Sequence, residues 1–529
     1  MRFLLINPYY PISEGPSPPL GIAFLGAALE KAGVEVEVAD FVVTPYSAAS
    51  MEGILKRFQP QFAGVTSVTM TFNTAADIVK DIKKIDPDIV TVMGGPHVSF
   101  CAEDTMALFP EIDIIVKGEG DESVVELTRA MEDDRKWDQV KGIVYRDASG
   151  IHNTGDRQQP ADVNSLPVPA RHLLPLGRYR ALNMPVSMTT SRGCPFKCIF
   201  CVGRKMVGAK VRYRNATSVV DELEYLSTLG FPQINIADDL FTANKKHCIG
   251  ICDEILARGL KVKWSSFARV DTVTREVLGK MKAAGCDAVS FGIETANADI
   301  LKTIKKGITI EQVLEAVEMC VDAGVTPSAS FILGLPGETP ETLKETVEFG
   351  KKLKEMGVLY GFHLLAPFPG TEIRDKKDKY NINILTDDWR MYHANRAIVE
   401  TENVTAKMLD EIAETWEENI NKWLDSIKDK MASGTATEED AYPLVNLERT
   451  LLYYQLMTDQ LIEAEGGWKH SNGIPTQTES LRTLVKRLVP HIKESEEKLF
   501  NALEYATNHG NLTFRTDSTS IRWGWTDYL

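Results

Sequence analysis

The sequence has few cysteines and no long apolar run. Only 8 of its 529 residues are cysteine, and three of these lie between positions 194 and 201. A secreted disulfide scaffold would spread its cysteines in pairs along the chain, so the clustering indicates metal binding in a reducing compartment. The longest apolar stretch, around residues 20–29, is about half of the roughly 20 residues needed to cross a bilayer. The apolar start ends at Asn7-Pro8, too early for a signal-peptide core. We therefore expect a cytoplasmic protein.

Positive charge is also scarce. The chain has 59 Lys and Arg against 74 Asp and Glu, a formal net charge of -15. Such a chain should repel nucleic acid and anionic membranes unless it carries a local basic patch, and no run of basic residues indicates one. We therefore expect neither a nucleic-acid nor a membrane partner. The length exceeds that of one ordinary core and predicts two or three domains.

The first part of the chain alternates short apolar strands with amphipathic helices. The predicted strands are residues 3–6, 34–39, 62–66, 89–93 and 112–116, with a further one at 142–146. Five such strands separated by helices predict an α/β fold with a parallel sheet covered on both faces. Ligands of these sheets bind beyond the carboxyl ends of the strands. No Gly-x-Gly-x-x-Gly follows the first strand, which argues against a dinucleotide site.

The alternation resumes at residue 186 with longer units. Six strands are predicted, at residues 186–190, 233–237, 261–265, 288–293, 326–333 and 360–366. Six repeats fall short of a closed eight-fold barrel, so we expect an open one with its mouth at the strand carboxyl ends. The proline-rich stretch at 148–185 is predicted to be a linker that docks on the domain surface, because leucines are interleaved with its prolines.

After about residue 398 only helical periodicity remains. It covers residues 408–427, 444–464 and 481–505, with breaks near Gly466 and Gly473. The end of the chain is aromatic, with Trp523, Trp525 and Tyr528. This tail is either a packed terminus or a wall of a substrate site.

The sharpest signal is the trio Cys194, Cys198 and Cys201, directly after the first barrel strand. Three thiolates at this spacing can hold a cubane iron–sulfur cluster and leave one iron without a protein ligand. One alternative is a zinc site that lacks a ligand, but no nearby fourth Cys or His supports it. The other alternative is three core cysteines. The C-x3-C-x2-C spacing resembles the radical S-adenosylmethionine (SAM) superfamily. That resemblance implies a 4Fe-4S cluster that binds SAM at its open iron, and a 5′-deoxyadenosyl radical that removes hydrogen from carbon.

Further motifs along the barrel resemble the same superfamily. They imply that SAM is contacted by Asp238, Asp239, Arg269, Glu294, Phe331 and Leu333. A carboxylate suits the methionine ammonium group, and an arginine suits its carboxylate. Two alternatives stay open: Asp238 as the N-cap of the next helix, and Arg269 as a member of a surface ion pair.

The first domain resembles the branch of this superfamily that binds cobalamin, the cobalamin-dependent (class B) radical SAM methyltransferases. The motifs Pro18-Pro19-Leu20-Gly21, Gly94-Gly95-Pro96-His97 and Gly118-Glu119-Gly120 carry the resemblance. It implies a Rossmann-like domain that buries the nucleotide tail of cobalamin and presents the corrin ring to the barrel mouth. The implied cobalamin-binding residues are Asn7, Pro8, Tyr9, Pro19, Leu20, Gly21, Thr66, Ser67, Val68, Thr69, Met70, Gly94, Gly95, Pro96, His97, Gly118, Glu119 and Gly120.

One departure from other cobalamin proteins concerns the lower cobalt ligand. The sequence lacks an Asp-x-His-x-x-Gly motif, and the loop after the first strand reads Asn7-Pro8-Tyr9-Tyr10. We therefore expect base-off cobalamin with no histidine on cobalt and with the loop at residues 66–70 at its lower face. His97 is expected to contact the corrin or the tail, the alternative being cobalt.

These observations predict a Rossmann-like cobalamin-binding domain (1–147), a linker (148–185), a partial (β/α)6 radical SAM barrel (186–397) and a helical C-terminal domain (398–529). The implied reaction moves a methyl group from methylcobalamin to an unactivated carbon, so that cofactors carry the chemistry and no residue need act as acid, base or nucleophile. The expected electron donor is a ferredoxin or flavodoxin.

The expected acceptor is a peptide or protein side chain. The barrel with its helical extension is similar to archaeal enzymes that methylate a glutamine in methyl-coenzyme M reductase. The alternatives are methylation of a small natural product or lipid and oxidative cyclisation. A noncatalytic cobalamin carrier or sensor is disfavoured, since it has no need for an open iron.

Overall fold

In a computed structural model, which describes residues 1–470, 475–517 and 519–529, the chain forms two mainly parallel sheets followed by a C-terminal region. The predicted α/β class is confirmed. Among the described residues no helix is both long and apolar enough to span a membrane.

The first sheet has seven strands in the order β2-β1-β3-β4-β5-β6-β7. Its strands are β1 (Arg2–Asn7), β2 (Glu35–Asp40), β3 (Phe62–Thr66), β4 (Val90–Gly94), β5 (Ile114–Val116), β6 (Ile143–Asp147) and β7 (Gly150–Asn153). The helices are α1 (Leu20–Lys31), α2 (Ala48–Phe58), α3 (Phe72–Ile85), α4 (Ala102–Leu108) and α5 (Asp121–Glu132). The first five strands are parallel, as predicted, whereas β6 and β7 form an antiparallel hairpin at the edge. The sheet thus continues past the predicted domain boundary at 147.

Burial on both faces explains why these strands are continuous apolar runs. The side chains of residues 3–6 in β1 are all buried, alternately against the two helix layers. A parallel sheet covered on both sides leaves only the strand ends free to bind a ligand. Those carboxyl ends face the second half of the chain.

The segment between the two sheets packs closely, as the interleaved leucines predicted. It contains α6 (Leu176–Ala181), and Leu174, Leu176 and Tyr179 are buried. Arg171 and Glu222, both nearly inaccessible to solvent, form an ion pair at 2.7 Å. This segment therefore connects the two sheets as part of the packed structure.

The second sheet is the predicted open barrel. Its elements are β8 (Val186–Met188), β9 (Ser191–Arg192), α7 (Gly203–Val207), β10 (Arg212–Tyr213), α8 (Ala216–Thr228), β11 (Ile234–Ile236), α9 (Lys245–Ala257), β12 (Trp264–Ala268), α10 (Arg275–Ala283), β13 (Cys286–Glu294), α11 (Ala298–Thr303), α12 (Ile310–Ala323), β14 (Thr326–Leu333), α13 (Pro340–Glu355), β15 (Leu359–Leu364), α14 (Glu372–Asp375), β16 (Asn383–Ile384) and β17 (Val399–Glu400). Six parallel strands run in the order β8-β11-β12-β13-β14-β15, and in the described chain β8 and β15 remain the two edges. The barrel therefore has an open side.

The C-terminal region is mainly helical, as predicted, but it also contains a sheet. Its elements are α15 (Ala406–Ala432), α16 (Glu438–Thr458), α17 (Leu461–Glu465), β18 (Gly467–Lys469), α18 (Gln477–Leu488), α19 (Glu496–Asn508), β19 (Leu512–Thr516) and β20 (Ser520–Trp525). The last three strands pair antiparallel in the order β18-β20-β19. The expectation that strands end near residue 398 is thus wrong. Gly466 does interrupt the helices, and Gly473 lies outside the described residues.

The aromatic tail is a packed terminus. Trp523 and Trp525 are 2% and 6% exposed and alternate along β20 with Ile521, so that all three enter the C-terminal core. Arg178 holds the following Asp527 at 2.5 Å. The alternative that the two tryptophans form a wall of a substrate site is wrong. Their period-2 spacing was the overlooked strand signal.

Candidate active site

A cavity of about 420 Å³ lies between the first sheet and the barrel. Its deep part is apolar, with Phe3, Leu5 and Val92 on the sheet and Ile22 and Leu25 on α1. Gly64 belongs to the same wall, where a Cβ would stand 2.8 Å from the Phe3 ring. The missing side chain therefore keeps the space above β1 and β3 open.

Small residues from the strand ends form the mouth of this interdomain cavity. They are Leu20, Gly21, Thr66, Gly94, Gly95, Pro96, Gly118, Glu119 and Gly120, all among the predicted cobalamin-binding residues. Gly95 has φ +102°, and a Cβ there would stand 2.4 Å from the Ser67 carbonyl oxygen. Only glycine fits such a turn, which lets backbone approach a flat ligand closely.

The opposite wall of the interdomain cavity belongs to the barrel and includes Thr189, Ser191, Arg192, Ala237 and Asp239. Two buried ion pairs join the two walls. Arg192 contacts Asp121 at 2.9 Å, and Arg212 contacts Glu119 at 2.5 Å. The structure therefore places Glu119 in an interdomain ion pair, with its carboxylate already occupied.

A second cavity of about 280 Å³ lies at the loops that follow β1, β2 and β3. Its lining includes Asn7, Pro8, Pro19, Thr66 and Val68. Among the described residues no histidine lines either cavity. Base-off cobalamin without a histidine ligand to cobalt remains a prediction.

Asn7 is held in place by a buried carboxylate. Its side chain donates to Asp40 at 2.9 Å, and the Tyr179 hydroxyl donates to the other carboxylate oxygen at 2.8 Å. Burial raises the pKa of Asp40 to about 6. Tyr9, by contrast, is 44% exposed and hydrogen-bonds Tyr454 of α16. The predicted loop therefore divides into an anchored residue and an exposed one.

His97 lies away from both cavity linings. Its ring stacks on Phe72 at 4.3 Å and meets Trp389 edge-on at 4.8 Å. Burial lowers the pKa of His97 to about 4, so the ring packs as a neutral aromatic group. Neither the predicted corrin contact nor the cobalt alternative has support in this placement.

The other predicted residues of the loop after β3, which are Ser67, Thr69 and Met70, pack against the protein itself. Ser67 is fully buried and donates to the Gly94 carbonyl oxygen at 3.4 Å. Thr69 is also buried, and Met70 is half-buried. In this placement Ser67 ties two neighbouring strand ends together.

The three cysteines of the C-x3-C-x2-C motif lie on one loop between β9 and α7, and none forms a disulfide. Cys201 is exposed, and its Sγ accepts a hydrogen bond from the Gly203 amide at 3.3 Å. Partial burial raises the pKa of the Cys194 and Cys198 thiols, and the positive charges of Arg269 and Lys306 oppose that shift. Burial outweighs the amide donor at Cys201 as well and raises its pKa to about 11, so iron binding itself must stabilise thiolate, the form that binds iron. Among the described residues, no group of three Cys, His, Asp or Glu side chains is placed to hold a single metal ion.

Arg269 belongs to the surroundings of this loop. It is only 7% exposed and lies 3.6 Å from the centre of the Phe196 ring within the cysteine motif. It also pairs with Asp271 at 2.9 Å and donates to the Lys306 carbonyl oxygen at 2.8 Å. The alternative of a surface ion pair is therefore wrong. Arg269 is in place to support the cysteine loop.

Glu294 occupies a strained position at the end of β13. Its φ is +73°, and the register between β13 and β14 shifts at this point. Its carboxylate accepts from Lys306 Nζ at 2.6 Å, and both side chains are buried. Strain in a non-glycine residue is typical of functional sites. The sequence analysis missed Lys306, since only the fold brings it to Glu294.

The two predicted aspartates have different surroundings. Asp238 is buried and accepts from the Thr190 amide, the Thr190 hydroxyl and the Ser191 hydroxyl, each at 2.6 Å. It therefore has no oxygen free for an ammonium group, and the N-cap of α9 is Asn244. Asp239 lines the interdomain cavity and is the carboxylate available to a ligand.

Phe331 and Leu333 of β14 turn their side chains away from the barrel interior, and both are fully buried. Only their backbone can reach a ligand. The next turn is held by Glu338, which accepts from the amides of Gly334 and Leu335 at 2.6 and 3.0 Å. Burial raises the pKa of Glu338 to about 8.

The interior of the barrel is lined by small polar side chains. Its inward positions include Ser187, Asn235, Ser265, Ser290, Ser328 and Ser330, which alternate with buried outward residues. Neighbours are hydrogen-bonded, Ser265 to Asn235 and Ser290 to Ser328, both at 2.6 Å. Closed barrels fill this space with bulky branched residues. Here the inward positions, which also include Phe267 and Ile332, are mainly small hydroxyl and amide groups, and the space they face is named the lumen.

Comparison with known proteins identifies both halves of the site. The model of the radical SAM superfamily matches residues 188–350, and that of the B12 binding domain matches residues 13–128. An uncharacterized methyltransferase of Pyrococcus horikoshii is 34% identical over 398 residues, which are 75% of this chain and 86% of that protein. The chain belongs to the cobalamin-dependent radical SAM methyltransferases.

Two further relatives of this methyltransferase were found. The anaerobic magnesium-protoporphyrin IX monomethyl ester cyclase of Cereibacter sphaeroides is 32% identical, over 72% of this chain and 65% of the cyclase. The structure of the radical SAM methyltransferase TsrM from Kitasatospora setae, with cobalamin and a 4Fe-4S cluster bound, matches with a TM-score of 0.63 at 19% identity. The match covers 96% of this chain and 98% of TsrM, so the shared fold includes the C-terminal region.

The cavities of this radical SAM methyltransferase fit cobalamin. A deep apolar space lined by Phe3, Leu5 and Gly64 suits the nucleotide tail, and the glycine mouth at Gly94 and Gly95 suits the flat corrin. When bound, cobalamin supplies the methyl group, while the chain orients it toward the barrel.

The donor set of the cysteine loop fits a 4Fe-4S cluster. Cys194, Cys198 and Cys201 would each bind a different iron, and the fourth iron is left for SAM. When bound, the cluster supplies the electron that cleaves SAM. The chain holds the thiolates, surrounds them with Arg269 and Lys306, and shields the site with both domains.

Proposed function

We propose that the methyl acceptor is a carbon atom in a neutral polar side chain of a peptide or protein. The observation that carries this proposal is the lumen of hydroxyl and amide groups. Such groups hydrogen-bond a carboxamide well, and the two charges on this side of the barrel, Glu294 and Lys306, already neutralise each other. The glutamine of methyl-coenzyme M reductase, suggested by the family resemblance, is the specific candidate.

The space beside Gly361 supports a side-chain-sized guest. In the sheet register Ser330 lies between Gly292 and Gly361. The space beside Gly292 is occupied by the Glu294 carboxylate and Lys306 Nζ, whereas that beside Gly361 is open. The open side of the barrel between β8 and β15 gives access to an extended chain.

Exposed apolar side chains on α15 and α16 also support a macromolecular acceptor. Ile420 and Trp423 of α15 are 41% and 51% exposed, and Leu451 of α16 is 51% exposed. Apolar residues left on a surface in this way are typical of protein contacts.

Matched peptides test the proposal. One peptide carries Gln at the target position and its pair carries Glu, and both are incubated anaerobically with the enzyme, SAM and methylcobalamin. We expect mass spectrometry to find an added methyl group on the Gln peptide and at least tenfold less on the Glu peptide. Equal methylation of both, or of neither, would contradict the neutral-acceptor proposal.

A lumen variant sharpens the test. Ser330→Leu fills the open space between Ser330 and Gly361. Thr326→Leu, at the exposed amino end of the same strand, is the matched control. We expect Ser330→Leu to lower methyl-peptide formation while cleavage of SAM to 5′-deoxyadenosine continues. If both products fall together, the lumen holds SAM instead of the acceptor.

A small-molecule acceptor is the second candidate. The cyclase relative is named for a porphyrin ester, and oxidative cyclisation of such a molecule is the corresponding reaction. The lumen argues against a large apolar acceptor because its lining is polar. Methylation of a small substrate in competition assays, with no peptide modified, would favour this candidate.

A further inference from the structure

The segment that carries the cysteine motif has no acidic residue. No Asp or Glu occurs between Asp162 and Asp221, in a chain with 74 of them. Lys197, Arg204 and Lys205 lie on the cysteine loop or beside it. This patch has no run of basic residues, because it arises from missing acidic residues.

The fold adds two distant segments to this loop. The Ile199 amide donates to the Ile304 carbonyl oxygen at 3.2 Å, and the Ile373 amide donates to the Ile199 carbonyl oxygen at 3.0 Å. Lys205 also donates to the Gly370 carbonyl oxygen at 2.6 Å. Residues 194–206, 302–306 and 370–380 thus form one surface, here named the cluster face.

The cluster face is strongly positive. It contains ten Lys and Arg against three Asp and Glu, a formal excess of +7 in a chain of -15. Some cations are partly neutralised, by Asp375 and Glu372 within the face and by Asp299 and Glu294 just outside it. Counting these last two lowers the excess to +5, and Lys306 is buried. Lys377 is exposed and forms no ion pair with any described residue.

We propose that the cluster face docks a small acidic protein that carries one electron. The Cys198 thiol of the motif lies 3.9 Å from the carbonyl oxygen of Lys305, a residue of this face, so a carrier seated there is close to the cluster. One electron leaves the carrier, which is oxidised by one electron, and reduces the cluster by one electron, with no bond made or broken. The proposal rests on the family's cluster and is independent of the methyl acceptor.

Opposite charges speed association and guide orientation more than they add affinity. The remainder of this acidic chain repels an acidic carrier, so the cluster face gives the encounter a direction. An anionic nucleic acid could use the same charges, but the redox centre within the face favours an electron carrier.

Charge reversal at two neighbouring lysines tests the proposal. Lys377→Glu with Lys379→Glu changes the edge of the cluster face and leaves the cysteine loop untouched. Lys351→Glu with Lys352→Glu on α13 makes the same charge change at exposed positions outside the cluster face. The probes are a reduced flavodoxin and a reduced acidic ferredoxin, and iron content confirms the cluster in every variant.

We expect the second-order rate constant for cluster reduction to fall at least tenfold in the first variant at low salt. The difference should shrink at high salt, because ions screen exposed charges. The Kd for each carrier should rise in parallel, and the rate of reduction by dithionite should stay the same. Unchanged rates and Kd, equal losses in the α13 control, or lysine-dependent binding of RNA with no carrier binding would overturn the proposal.

Discussion

The two open spaces of this enzyme have opposite linings. The interdomain cavity is apolar, and its walls have glycine where a side chain would block the space, as at Gly64 and Gly95. The barrel lumen is lined by hydroxyl and amide groups, as at Ser290 and Ser328. A ligand in the first is held by shape, whereas a ligand in the second is held by hydrogen bonds. Under the proposed function, the difference separates a tightly held cofactor from an exchanging acceptor.

The strands of the two sheets show the same contrast. The central strands of the first sheet bury both faces and are mostly apolar, as in β1. Barrel strands bury only the outward residues, so small polar residues alternate with apolar ones in β12 and β14. Side-chain alternation along a strand therefore decides which interior stays dry.

Removing the cluster ligands should have the largest effect and should separate the two cofactors. We expect the triple variant with Cys194, Cys198 and Cys201 changed to Ala to contain essentially no iron or sulfide. Bound cobalamin should stay near the wild-type amount, because its cavity lies mainly in the other domain. Iron, sulfide and corrin absorption measured on purified protein provide the check. Full iron content in the triple variant would contradict the cluster assignment.

Filling the interdomain cavity should have the converse effect. Gly21 lies at its mouth with no atom near its missing Cβ, so Gly21→Phe can place a ring in the space without backbone strain. We expect bound cobalamin to fall at least tenfold while iron content is unchanged. Gly53→Phe on the exposed face of α2, where the surroundings are also open, is the matched control. If Gly21→Phe keeps its cobalamin, the cavity is not where the cofactor binds.

Much of the fold followed from local patterns. The five parallel strands, the six barrel strands and the helices after residue 406 were predicted because apolar runs and helical periodicity are local properties of the sequence. The cysteine spacing predicted the cluster loop for the same reason. The β18-β20-β19 sheet was missed because its strands are short and separated by helices, although Trp523 and Trp525 had the right alternation.

Other parts of the site could not be predicted, because they depend on contacts between distant residues. Glu294 was singled out from the sequence, but its partner Lys306 and its strained backbone exist only in the folded barrel. Glu119 was expected at the cofactor and does line the interdomain cavity, but its ion pair with Arg212, nearly a hundred residues away, exists only in the fold. His97 was expected near the corrin and instead packs between aromatic rings.

Breaking the buried pair Glu294–Lys306, on the lumen side of the barrel, should measurably lower the free energy of unfolding. Lys306→Met leaves the Glu294 carboxylate buried without its partner, which typically costs about 3–5 kcal/mol. Glu294→Gln combined with Lys306→Met should recover most of that loss, since no charge remains buried. Urea unfolding of Lys306→Met, Glu294→Gln, the double variant and wild type gives the coupling energy. Losses that simply add in the double variant would show that the pair contributes through packing alone.

Two buried carboxylates extend the comparison to pH, with the smallest expected effect. Asp40 at the end of β2 has three hydrogen-bond donors, and Glu338 beyond β14 has two, with its second oxygen unpartnered among the described residues. Burial raises the pKa of Asp40 to about 6 and that of Glu338 to about 8. Because each folded pKa lies above its unfolded value of 3.8 or 4.5, the folded state binds more protons in between.

The stability that each group contributes is therefore fully present below its unfolded pKa and is lost as the pH rises through its folded pKa. Between about pH 6 and 8 only Glu338 contributes to this loss, with an expected slope on the order of 1 kcal/mol per pH unit. Glu338→Gln should flatten the dependence in that window, whereas Asp40→Asn should flatten it only between about pH 4 and 6. Urea unfolding of both variants across this range is the measurement. A slope above pH 6 that persists in Glu338→Gln would show that another group causes the loss of stability. The expected difference between Asp40 and Glu338 would then be contradicted.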